Sequence, residues 1–101
     1  ATLEERVRLQ SVIIQRFCRA LISMDALKDS LEAAKPAETF AAENSLAKAV
    51  SAFGSAQKWF VDRRPDLAGH WLEDCQRHLK EAQDLLEFSV MLGKFQRNNG
   101  S

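Results

Sequence analysis

His70, Asp74 and His78 recur every four residues, the spacing at which one helical face presents two imidazoles and a carboxylate together. Such a set has the ligand types of a metal site. Along a helix, though, the two histidines stand about 12 Å apart at 1.5 Å per residue, too far to share one ion. The ladder therefore reads as solvated charge in which Asp74 stabilises one or other imidazolium, and no metal site or cofactor is expected. A ligand- or metal-responsive regulatory bundle centred on these three residues is the alternative reading of the chain. Cys18 and Cys75 lie far apart with no Cys-x-x-Cys spacing, and both fall on or near apolar stripes, so they read as inert core thiols rather than nucleophiles. There is no glycine-rich phosphate loop, no nucleophile elbow and no His-Glu-x-x-His motif. The expectation is a protein that is not an enzyme.

Charge and length narrow the remaining classes. The 101 residues are one domain's worth of chain, and fourteen Lys and Arg balance fourteen Asp and Glu. A neutral chain has no local cationic excess to hold a phosphate backbone, nor a polybasic segment for an anionic membrane. The longest aliphatic run near the start is Val12-Ile13-Ile14, far short of a signal peptide core or a membrane span. Unpaired cysteines and the lack of a targeting segment give a cytoplasmic expectation. A start at Ala1 and the Asn98-Asn99-Gly100-Ser101 end suggest an excised piece of chain. Asn99-Gly100-Ser101 fits the glycosylation acceptor pattern, a match attributed to chance at a chain end.

The elements that position these groups follow from two prolines. Proline lacks the amide a helix interior needs but suits the first helical turn. Lys35-Pro36 and Arg64-Pro65 thus each mark the end of one helix and the start of the next. They divide a single domain, residues 1–101, into helices at about 2–34, 37–62 and 65–96, with 97–101 a frayed tail. Ala, Leu, Glu, Lys, Gln and Arg dominate all three, and Tyr is absent. Thr2-Leu3-Glu4-Glu5 has the form of a capping box.

At about 100° per residue, the third segment places Ala68, Leu72, Cys75, Leu79, Ala82 and Leu86 on a 4-3-4-3-4 seam. The second gives a narrow stripe of Ala42, Leu46, Ala49, Val50, Phe53, Ala56 and Phe60, in which small and large side chains alternate. In the first, Leu3, Val7, Ile13, Ile14, Phe17, Leu21, Met24, Leu27 and Leu31 cover about half the circumference, as if touching two neighbours. Short connections make consecutive helices antiparallel neighbours. The predicted fold is all-α: an elongated up-down-up three-helix bundle. A break near Ser23-Met24-Asp25 or Asn44-Ser45 would convert it into a four-helix bundle.

One stretch departs from simple amphipathicity. Phe88, Met91 and Phe95 form a second stripe nearly opposite the Leu79–Leu86 seam, with Leu85, Val90 and Leu92 between. A helix apolar on all sides requires cover on all sides. Either a partner chain or a second copy supplies it, or the connection with Phe40 folds over this end, or a kink at Gly93 turns Phe95 inward. Phe88, Met91, Leu92 and Phe95 are accordingly the candidate partner-binding residues. Trp59 and Trp71, on either side of the Arg64-Pro65 turn, form a second candidate near the bundle tip. With Arg63 and Arg64 that tip is also a weak nucleic-acid candidate, offset by Asp62 and Asp66. Arg8, Arg16 and Arg19 share an outer flank and read as solvation.

The string Asp74-Cys75-Gln76-Arg77-His78-Leu79 is similar to a stretch in the third helix of the tubulin-binding cofactor A family, itself a three-helix bundle. Six helical residues do not define a family, and the proline-marked turns and the alanine-rich second segment depart from it. The expected function is that of a non-catalytic protein–protein interaction module, an adaptor, assembly or chaperone-type bundle binding another protein or a second copy of itself.

Overall fold

The computed structural model describes residues 2–99, and in it three long helices account for nearly all of them. They are α1 (Leu3–Ala33), α2 (Pro36–Val61) and α3 (Pro65–Asn99). The two predicted breaks are absent, since α1 and α2 each run unbroken, so the bundle has three helices and not four. Both prolines sit at helix starts. The third helix continues three residues past its expected end, with Asn99 Nδ2 donating 3.0 Å to the Phe95 carbonyl in its last turn. Residues 97–99 are therefore helical rather than a tail. Gly100 and Ser101, and with them most of the acceptor pattern, lie outside the described residues.

Local chemistry sets each boundary. The Thr2 hydroxyl accepts from the Glu5 amide at 3.2 Å, the hydroxyl half of the predicted capping box. At the second start, Glu38 reaches back so that its carboxylate accepts from the Lys35 amide at 3.4 Å. The α2–α3 turn is a Schellman closure, with the Arg63 amide donating to Phe60 and the Arg64 amide to Trp59. It places Arg63 at φ 62°, the left-handed region usually left to glycine.

The bundle is a rod of 66 × 18 × 17 Å. Its radius of gyration is 17.2 Å, against about 13 Å for a compact domain of this length. The rod is longer than any one helix because α1 and α3, which run parallel, are staggered. Beside Gly69 of α3 lies the Ile13 side chain, and Arg16 pairs with Glu73 at 3.8 Å. At about 1.5 Å per residue, Leu3 then overhangs the start of α3, while α3 runs on for about 15 Å past Ala33.

The core lies mainly between α2 and α3. All six residues of the predicted α3 seam are buried. Facing them, α2 buries Ala42, Ala49, Ala52 and Ala56, small side chains that let two helix backbones approach closely. Val50 is an exception to the predicted α2 stripe, being 46% exposed. Against this pair, α1 buries only Ile13, Ala20, Met24 and Leu27. Phe17 bridges to α2, edge-on to Phe53 at 5.4 Å and to Phe60 at 5.5 Å between ring centroids. The wide α1 stripe read from the sequence is thus only half covered: Leu3, Val7, Ile14 and Leu21 are exposed. Among the described residues every buried side-chain nitrogen or oxygen has a partner.

Candidate functional site

The second stripe of α3 is on the surface. Phe88, Met91, Leu92 and Phe95 are 62%, 69%, 42% and 64% exposed, and Val90 is half-buried against the core. Neither form of cover from within the chain occurs. The connection between α1 and α2 is too short to fold over anything, because Pro36 already belongs to α2. Phe40 sits on that helix and is itself 82% exposed. Nor does Gly93 turn Phe95 inward, since α3 is helical through it and Phe95 stays on the surface.

These side chains are bare because they lie on the outer face of α3, nearly opposite the seam that packs on α2. Ala34 and Lys35 end α1 at the level of Val90, because Pro36 cannot continue a helix whose amides must donate. Beyond that level α3 has only α2 beside it. The contact there is close: Gly93 lets the Glu38 carboxylate approach, and Glu38 Oε1 lies 3.8 Å from Arg97 Nη1. A Cβ at position 93 would meet that oxygen at 3.2 Å. Open grooves lie on both sides of this ledge. One, of about 560 Å³, runs between Lys35 and Glu38 on one bank and Leu92 and Arg97 on the other. A second, of about 530 Å³, lies between Ala33 and Ala34 of the α1 end and Leu86, Val90 and Met91. Apolar knobs alternating with grooves are the relief into which a helix packs.

The two tryptophans are less open. Trp59 packs against the core, half-buried, and Trp71 is 38% exposed. At the tip, Arg64 is tied to Asp66 by two hydrogen bonds of 3.2 and 3.1 Å. Those bonds hold the Asp66 carboxyl below its ordinary range. Arg16 leaves the predicted basic flank of α1 for Glu73. Both arginines are thereby engaged within the chain rather than free for a phosphate.

His70, Asp74 and His78 lie along α3 as expected, but they do not converge. His78 stands between two carboxylates, with Nε2 at 3.7 Å from Asp74 and Nδ1 at 3.1 Å from Glu81. Asp74 also pairs with Arg77. Among the described residues no three His, Cys, Asp or Glu side chains group as metal ligands. The cysteines divide. Cys75 is fully buried, and burial, helped by the Asp74 charge, pushes its thiol up to about 11. Cys18 is exposed, contrary to the expectation that both are core residues. It lies one turn from Ile14 and from Ile22, in the part of the α1 stripe that α2 and α3 leave uncovered.

Among the described residues no helix is long and apolar enough to cross a membrane. The chain matches no protein-family model, no curated protein and no solved structure, which leaves the geometry of its surfaces to carry the functional reading.

Proposed function

We propose that the protein is a non-catalytic interaction module whose α3 ledge receives a helix of a partner protein. The supporting observation is the group of four large apolar side chains, Phe88, Met91, Leu92 and Phe95, exposed together on the outer face of one continuous helix, on either side of the level at which α1 ends. Aromatic residues and methionine are enriched at protein interfaces, the first as large rigid contacts and the second as an adaptable one. The partner's apolar face would lie along this outer face of α3, and the grooves on either side would receive its i and i+4 side chains. Such a role is that of an adaptor, assembly factor or chaperone-type subunit acting in the cytoplasm without a cofactor. Trp59 and Trp71 form the second, less open candidate surface.

The test is Met91→Asp, compared with the wild type in partner capture and in thermal unfolding. On this reading the variant loses capture while keeping its helicity and melting temperature. A loss of several kcal/mol in stability would instead mark Met91 as core, because an unpaired charge in an apolar site carries about that cost. Capture unaffected by the charge would remove the ledge from consideration.

A further inference from the structure

Where α1 overhangs the α2–α3 hairpin, the bundle leaves a cleft. Ile13 of α1 lies beside Gly69 of α3. One turn earlier on each helix, Leu9 stands level with Pro65, so the turns of α1 before Leu9 run on past the connection between α2 and α3. The cleft beneath them has a volume of about 730 Å³, within the range of small-molecule sites, about 300–1,000 Å³. Leu3, Val7 and Leu9 wall it on the α1 side, and Phe60 and Pro65 wall it on the hairpin side.

Its charged groups are of one sign. Arg6, Gln10 and Arg63 line the cleft, and among the described residues no acidic side chain does. Counted back in sevens along the face that α1 buries, Leu27, Ala20 and Ile13 lead to Arg6. A guanidinium thus stands where the core line of α1 enters the cleft. Arg63 lines it from the α2–α3 turn, at the left-handed position that would suit glycine. Arg16, Arg64, Arg77 and Arg97 all have carboxylate partners. Among the described residues Arg6 and Arg63 form no ion pair. The acids nearest in sequence are turned away or engaged. Glu5 and Glu4 lie about 100° and about 160° round α1 from Arg6. Asp62 does not line the cleft, and Asp66 is held by Arg64.

We infer that this cleft binds a small amphipathic carboxylate, a fatty-acid-like anion whose head sits between Arg6 and Arg63 and whose hydrocarbon chain lies against Leu9, Phe60 and Pro65. A guanidinium presents its donors in a planar fork that matches a carboxylate, and two of them neutralise the head without any acceptor in competition. The apolar walls suit a chain that has no polar group to leave unpaired. A peptide segment fits less well, because its amides need acceptors and the side chains of the lining offer one, the Gln10 carbonyl. The cleft and the α3 ledge are at opposite ends of α3, so the two readings stand or fall separately.

Calorimetric titration of the protein with octanoate, 1-octanol and acetate tests the assignment. Octanoate is expected to bind one to one with a Kd below about 1 mM, and 1-octanol and acetate at least about tenfold more weakly, since each lacks one half of the ligand. Arg63→Gly and Arg6→Gln are each expected to weaken octanoate by about tenfold. Glycine suits the backbone at position 63, so Arg63→Gly is also expected to keep the helicity and melting temperature of the wild type. No saturable octanoate binding below about 1 mM, or 1-octanol bound as tightly as octanoate, would overturn the proposal. So would octanoate binding that survives the two arginine substitutions together, or that Met91→Asp abolishes while they do not, which would put the ligand on the α3 ledge.

Discussion

The α2–α3 hairpin and the α1 helix solve the same packing problem with different side chains. Seven residues of α2 and seven of α3 are buried, against four in α1, although α1 is longer than α2. In the hairpin the contact is made by Ala42, Ala49, Ala52, Ala56, Ala68, Ala82 and Cys75, so the backbones come close and little space is left to fill. With α1 the contact depends on long side chains, Ile13, Phe17, Met24 and Leu27, which hold the helix farther off and touch α2 through one aromatic cluster. The hairpin is closed by small residues along its whole length. The α1 helix leans on it, and its uncovered side and the outer face of α3 leave apolar surface exposed. Stability and availability for binding are thus separated in this molecule.

The sharpest way to break this comparison is to cut equal side chains from the two regions. Leu72, fully buried in the hairpin, is expected to cost about 2–5 kcal/mol when changed to Ala, as a cavity is left behind. Leu21→Ala, on the open face of α1, is expected to change the stability of the monomer by under about 1 kcal/mol. Urea unfolding of both variants measures the contrast, and equal losses would mean that α1 is packed as tightly as the hairpin.

A second substitution adds volume. Ala49 has no exposure at all in the close α2–α3 contact, so Ala49→Leu is expected to cost about 1–3 kcal/mol through overpacking. The readout is a lowered unfolding midpoint without a change in the denaturant slope. The smallest effect is a gain. Gly54 lies within α2, and a Cβ there meets nothing within 4 Å. Gly54→Ala is expected to stabilise by about 1 kcal/mol, the difference in helix propensity. A rise of a few degrees in melting temperature would show it. A fall would mean that the outer face of α2 is more crowded than its exposure indicates.

Much of the fold was legible because it depends on local rules. Pro36 and Pro65 mark their helix starts through a missing amide, and the α3 seam from Ala68 to Leu86 could be read from its period. Overrun of the expected end of α3 by three residues was not legible, since nothing in Gln96-Arg97-Asn98 stops a helix and no proline follows. For the candidate surface, spacing alone identified Phe88, Met91 and Phe95 as a second stripe. It could not decide whether the stripe was covered, which depends on whether another part of the chain reaches the outer face of α3. The first helix does touch two neighbours, as the width of its stripe suggested, but half of that stripe stays open, because the helical wheel records which residues are apolar and not how much of each the neighbours cover. Cys18 was misplaced for the same reason.

The sequence by itself determined the all-helical class, the two proline-marked helix starts, the outer limits of the helical segments to within a few residues, the buried seam of the hairpin and the neutrality of the chain. These follow from backbone donors, side-chain period and charge, all of which act within one or two turns. Only the tertiary structure decided the stagger of α1 against α3, and with it which apolar side chains are core and which are surface. Stagger is set by the fit of Ile13 beside Gly69 and of Arg16 to Glu73, contacts between residues more than fifty positions apart. No local rule spans that distance, so the exposure of the α3 ledge and of the open α1 face could be known only once the helices were set side by side.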